Sequence, residues 1–366
     1  MPNPQTFPIG DIKDIIDYVI LNEGDLALQY GNTGGLNDLR TEIKNLVNRT
    51  EKINTDEKNI IVTSGSQQGL YALGKIFANP GDIIITESPT YVGGVSAFNA
   101  NAARMIDIPM DDEGMKTDLL QKKLDELKSE DKRPKFIYTI PTFQNPTGVT
   151  MNLERRKHLL DISEDYEIPL VEDNPYGELR YSGEKIPSIK SLDRNNTVTY
   201  LGTFSKVMTP GLRIGYTIGP SEVVDKINLL KQALDLATNT LSQYVAYEYL
   251  KRKIMDKQIP KTVNLYRGKR DTMLKALQDY FPEDSKWSRP DGGMFIWATV
   301  NSSINTTKML KRSLQNGVAY VSGASFSPNG GHTNSMRLNF TFSEEEKIIE
   351  GIRRLSKVIR EEMAVA

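Results

Sequence analysis

The chain has 366 residues, 46 Lys and Arg against 47 Asp and Glu, a formal net charge of -1 and 38% hydrophobic residues, a composition that reads as soluble and globular. It offers no global field to draw in nucleic acid, and no stretch approaches the ~20 apolar residues of a membrane span. The absence of cysteine removes disulfides, thiolate nucleophiles and Cys-ligated zinc together.

The length suits two domains with a cleft between them. The opening MPNPQTFPIGDIKDIIDYVI carries three acidic residues and no apolar core behind basic charge. It does not read as a secretory signal, and the expected location is the cytoplasm. Between residues 60 and 220, short β-rich runs alternate with helical patterns: IIVTS (60–64), DIIITES (82–88), FIYTIP (136–141), PLVED (169–173), TVTYLGTFSK (197–206) and RIGYTIG (213–219). That rhythm predicts an α/β domain. Apolar runs without strict alternation predict strands covered on both faces, hence a mostly parallel sheet flanked by helices. The charged DELKSEDKR (125–133) reads as a solvated helix end and loop. From 221 to about 281, Val224, Ile227, Leu230, Leu234 and then Met273, Leu277 and Tyr280 recur at helical spacing. Beyond the breaker-rich WSRPDGG (287–293), the runs MFIWATV (294–300), VAYVSG (318–323) and MRLNFTF (336–342), with a helix near 306–315, predict a smaller α+β domain.

The chemistry concentrates where predicted strands end. VTSGSQQGL (62–70) runs a strand into a glycine-punctuated helix start, where free N–H groups and the hydroxyl of Ser66 favour a phosphate. YTIPTFQNPTGVTM (138–151) ends a strand with Asn145, Pro146 and Gly148, a pattern that a plain proline-glycine turn also explains. PLVEDNPYGELRY (169–181) places Asp173 at a strand end before Tyr176. A carboxylate there either caps a turn or pairs with a cation such as a protonated pyridine nitrogen. GTFSKVMTPGLRIGY (202–216) sets Thr203, Ser205, Lys206 and Arg213 at the carboxyl edge of the sheet, where open α/β sheets bind ligands. Two hydroxyls and a guanidinium there could hold a phosphate beside a nucleophilic amine, although a lone lysine is ordinarily a surface residue. His158 and His332 have no partners at metal-ligand spacing, and no catalytic metal is expected.

Taken together, TFSKVMTPGLRIGY, NPTG and EDNPY make nearly the whole chain resemble fold type I pyridoxal-phosphate enzymes, specifically class I and II aminotransferases. MPNPQTFP, LQYGNTGGLNDLR, SGSQQGL and GGMFIW are most similar to the 2-aminoadipate, kynurenine and aromatic aminotransferase branch. The resemblance implies an aspartate aminotransferase-like fold, with residues 31–268 as the large cofactor-binding domain and 1–30 plus 269–366 as the small one. Lys206 would carry pyridoxal 5'-phosphate as a Schiff base and shuttle a proton. Asp173 would pair with the pyridinium nitrogen, while Asn145 and Tyr176 would bond the phenolic oxygen. Ser66, Gln67, Thr203, Ser205 and Arg213 would hold the phosphate, Tyr91 would stack on the ring, and Tyr30 would reach the phosphate of the neighbouring subunit of a homodimer. Arg337, in MRLNF, would clamp the substrate α-carboxylate, a task suited to its planar fork; Asn145 would also touch substrate.

Two positions depart from the pattern. Thr203 stands where serine is more frequent and keeps the hydroxyl. The sequence opens at MPNPQTFP, where relatives have an arm and a glycine-rich segment already behind them. The expected reaction is ping-pong transfer of an amino group from an aromatic or 2-aminoadipate-like amino acid to a 2-oxo acid, with 2-oxoglutarate the leading acceptor. A lyase of the same fold, or a ligand-binding sensor, is the alternative; a sensor of this kind would carry a DNA-reading domain ahead of the fold.

Overall fold

Alternate residues of the central strands point into opposite helical layers, which is why their runs are apolar throughout. The computed structural model describes residues 1–364. After a 3-10 turn at Pro4–Thr6 come α1 (Ile9–Ala27), α2 (Asn37–Glu51), β1 (Ile60–Thr63), α3 (Ser66–Phe77), β2 (Ile83–Ser88) and α4 (Val92–Asn99). The chain continues with β3 (Arg104–Asp111), β4 (Gly114–Met115), α5 (Thr117–Ser129), β5 (Ile137–Thr139), α6 (Leu153–Asp165), β6 (Leu170–Asp173), α7 (Ile189–Leu192), β7 (Val198–Thr203) and β8 (Gly215–Ile218). Then follow α8 (Ser221–Leu234), α9 (Thr240–Lys251), α10 (Ile254–Tyr280), β9 (Lys286–Trp287), β10 (Phe295–Thr299), α11 (Thr306–Gln315), β11 (Val321–Ser322), β12 (Ser335–Asn339) and α12 (Glu345–Met363).

The large sheet has the order β1-β8-β7-β6-β5-β2-β3-β4. Neighbours from β7 through β3 pair in parallel. In β1, Ile60 and Val62 face a cluster with α1, α2 and α9, whereas Ile61 faces one with α3, α4 and α8. Ile83 and Ile85 of β2 face α5 and α6 instead, opposite Ile84. These two strands are thus buried on both faces. The small sheet, β11-β12-β10-β9, is antiparallel and packs with α10, α11 and α12 through Ile296, Ala298, Met309, Leu338, Ile352 and Leu355.

Four features differ from the sequence-based expectation or extend it. The run at 213–219 becomes β8, antiparallel to both β7 and β1, because the link from Thr203 to Gly215 is too short for a parallel crossover. β3 was not among the expected strands: Arg104, Asp107, Pro109 and Asp111 interrupt its apolar pattern, which it tolerates near the sheet's edge with part of its length exposed. The expected division puts residues 1–30 with the small domain, but α1 buries Ile15, Val19 and Ala27 in the large-domain cluster around α9. Only the first residues reach the small domain, where the Asn3 amide donates to Thr341 O at 3.2 Å. Finally, α10 runs unbroken across the expected 268/269 boundary, with Ile254 and Met255 in the large-domain core and Met273 and Leu277 in the small-domain core.

Candidate active site

Ser66, Gln67, Tyr91, Asn145, Asp173, Tyr176, Thr203, Ser205, Lys206 and Arg213 line one cavity, joined by Ile140 and Pro175. It opens at the carboxyl ends of β1, β5, β6 and β7, the edge at which an open α/β sheet binds its ligand. At one end lies a cup of donors. Thr203 Oγ1 donates to Ser205 Oγ at 3.0 Å, and Arg213 reaches Ser205 Oγ at 3.3 Å and the Ser64 carbonyl at 3.4 Å. α3 begins here without a side-chain cap, so its first N–H groups are available to an anion. The cup depends on glycine: Gly65 adopts φ +72°, and a Cβ on Gly215 would lie 2.6 Å from the backbone of Gly65 and Ser66.

At the opposite wall, Asp173 is buried. Tyr138 donates to its Oδ2 at 2.9 Å, while Oδ1 is buried without a partner. Burial, partly offset by the Tyr138 bond, pushes its pKa up to about 7. Such an oxygen is a socket for a cationic N–H. In the same cavity, the half-buried Lys206 amine makes no hydrogen bond or ion pair among the described residues, and burial with the nearby Arg213 and Arg337 lowers its pKa to about 8. A relay closes the third side: Arg337 donates to Asn145 Oδ1 at 2.8 Å, and Asn145 Nδ2 donates to Tyr176 OH at 3.2 Å. The Arg337 guanidinium stacks over Phe295 at 4.1 Å and Phe326 at 5.0 Å, and its Nε is buried and unpaired. The domains meet at this point, where the Thr90 N–H donates to Phe326 O at 2.9 Å and brings the Tyr91 loop beside Arg337. Tyr91 OH in turn donates to Gln67 Oε1 at 3.3 Å.

Tyr30 is the expected site residue that does not join the others; it is 84% exposed on the loop after α1. Motif reading also missed two supporting residues. Tyr138 had a sequence signal, a phenol in an apolar strand that needs a partner for its hydroxyl. Glu87 had none: fully buried, it accepts from Thr139 at 2.5 Å and from Gln144 at 3.0 Å, tying the end of β2 to the loop that carries Asn145. The histidines are elsewhere engaged, His158 with Thr117 at 2.9 Å and His332 with Ser88 at 3.1 Å. Among the described residues no three metal-ligating side chains come together.

Residues 6–355 match the family Aminotransferase class I and II, and the chain belongs to it. Among its relatives is aromatic-amino-acid aminotransferase 1 of Thermococcus litoralis, 48% identical over 99% of this chain and 87% of the relative. A crystal structure of Pyrococcus horikoshii kynurenine aminotransferase, in complex with PMP, superposes with a TM-score of 0.97 at 47% identity, covering 99% of this chain and 90% of that one. The alpha-aminoadipate aminotransferase of Thermus thermophilus, solved with N-(5'-phosphopyridoxyl)-L-leucine, gives 0.94 at 33%, covering 100% and 92%. The fold is therefore that of the aspartate aminotransferases, and the protein is an aminotransferase that uses pyridoxal phosphate. The unpaired Asp173 oxygen, the Lys206 amine in the same cavity and the uncapped helix start fit that cofactor's ring nitrogen, aldehyde and phosphate in turn.

Proposed function

We propose that this enzyme moves the amino group of an aromatic or 2-aminoadipate-like L-amino acid to 2-oxoglutarate by a ping-pong route, with Lys206 as its base. The observation that carries this reading is the pairing of a free, pKa-lowered amine with an unpaired buried carboxylate oxygen across one cavity. The donor class rests on the relatives, which are named for aromatic amino acids, kynurenine and alpha-aminoadipate.

Bound here, pyridoxal phosphate supplies an aldehyde that condenses with primary amines and a ring that draws electrons from the amino-acid Cα. Asp173 would hold the ring nitrogen's proton through Oδ1, and Tyr138 holds that carboxylate in place. Ser66, Gln67, Thr203, Ser205 and Arg213 would grip the phosphate. Tyr91 would pack on the ring, and Asn145 and Tyr176 would bond the phenolic oxygen. Arg337, braced on Phe295 and Phe326, takes the substrate carboxylate and fixes the Cα–H towards Lys206. With a pKa of about 8, Lys206 Nζ is matched to removing and returning the Cα proton near neutral pH.

A homodimer belongs to the same proposal. The exposed Leu21, Leu26, Leu28 and Tyr30 form an apolar stretch along the end of α1 and the loop after it, and a partner there would cover it and bring Tyr30 to the partner's cup.

Visible absorption of the purified protein tests the chemistry. With added pyridoxal phosphate, a yellow band that glutamate converts to the amino form of the cofactor is expected, and Lys206→Ala should fail to carry out the conversion. Binding without conversion by any amino acid would move elimination chemistry or ligand sensing ahead.

A further inference from the structure

Behind the cup lies a lysine with no role in the proposed chemistry. Lys231, on α8, has no exposed side-chain surface, and its ammonium donates to Gln68 Oε1 at 2.8 Å, to both oxygens of Asp235 at 3.1 and 3.2 Å, and to Thr238 Oγ1 at 3.1 Å. Gln68 stands in the first turn of α3. Its Oε1 also accepts from the Ser64 N–H at 2.9 Å, and its amide donates to Asp235 at 2.7 Å. The Ser64 hydroxyl reaches the same Asp235 oxygen at 3.3 Å, while the Thr238 hydroxyl donates to Val62 O at 3.4 Å. These groups grip both ends of the turn 64–68. Between them, Ser66 and Gln67 line the cavity and Gly65 holds φ +72°. No side chain caps the first N–H groups of α3 at that turn, and the one side-chain tie described here within it, Gln68 Oε1 to the Ser64 N–H, shares its acceptor with Lys231.

We propose that Lys231 is a positioning residue for the cofactor phosphate: fully buried itself, with the half-buried Asp235 and Gln68 it forms a strut that holds the turn 64–68 in the shape that presents Ser66 and the first N–H groups of α3. The inference rests on the phosphate cup described under the proposed function. Replacing the ammonium leaves Asp235 and Gln68 Oε1 short of a buried donor, and the nearest relief is movement of the turn.

The test compares two aldehydes, pyridoxal phosphate and pyridoxal, which lacks the phosphate, titrated into cofactor-free protein by visible absorbance. Wild type is expected to bind the phosphate ester much more tightly. Lys231→Met should weaken pyridoxal phosphate about tenfold or more and leave pyridoxal unchanged, so the preference shrinks. Gln68→Met keeps the Lys231–Asp235 pair and should show the same phosphate-specific loss; if Lys231→Met does not fold by circular dichroism, Gln68→Met decides. Folded variants that keep the wild-type preference, or that lose both aldehydes equally, overturn the strut. A wild type with no preference for the phosphate ester overturns the cup itself, and the strut with it.

Discussion

Asp173 and Lys206 line one cavity with pKa values moved in opposite directions, both chiefly by burial. A carboxyl whose folded pKa exceeds its unfolded value keeps a proton that the unfolded chain has released. Its contribution to stability is therefore full below about 3.8 and is lost as the pH rises through about 7. Asp173→Asn should remove up to ~1.4 kcal/mol per pH unit of that loss in the cofactor-free protein. Urea titrations at about pH 5 and about pH 7 should then differ less for the variant than for wild type. An unchanged difference assigns the titration to Glu87 or Glu172, both also raised to about 7 by burial. For Arg337, the bidentate geometry of a guanidinium on a carboxylate predicts that Arg337→Lys raises the amino-acid KM about tenfold or more while cofactor affinity holds. A matching loss of cofactor affinity in the absorbance titration would instead tie Arg337 to the cofactor through Asn145.

Between elements, the approach of β8 to the start of α3 leaves no slack beside the site. Gly215 has no room for a Cβ against the backbone of Gly65 and Ser66, and backbone moves less readily than a side chain. Gly215→Ala should cost about 1–3 kcal/mol by overpacking and, by pushing the turn outward, weaken cofactor binding; a variant with wild-type melting and wild-type cofactor affinity would contradict the packing. The same hairpin shows where pattern reading stops. The run at 213–219 is as apolar as its neighbours, and only the length of the link from β7 distinguishes an antiparallel return from a crossover. β3 escaped notice for the converse reason, since its charges and Pro109 satisfy an edge environment that local composition does not reveal.

At the scale of the molecule, the exposed apolar end of α1 is the surface feature that a lone chain leaves unexplained. Leu21 is 83% exposed and Leu28 69% exposed. Sedimentation should find a particle of twice the 41.2 kDa chain, and Leu21→Asp with Leu28→Asp should shift it to the monomer and reduce activity. A fully active monomer would remove Tyr30 from the site. The two domains share α10, whose single helix enters both cores, and the Thr90–Phe326 bond ties them again beside Arg337.

The amino-acid sequence alone determined the α/β class, the strand runs and the chemical identity of the strand-end residues, because burial on two faces and turns at strand ends leave local marks in apolar runs and in Gly, Pro and Asn. Tertiary structure decided what depends on separation along the chain. It joined Arg337 to Asn145 across 192 positions, left one oxygen of Asp173 unpaired, placed Tyr138 and Glu87 beneath the site, and put α1 on the large domain. None of these has a local signature, since each arises from the desolvation and proximity of groups that only folding brings together.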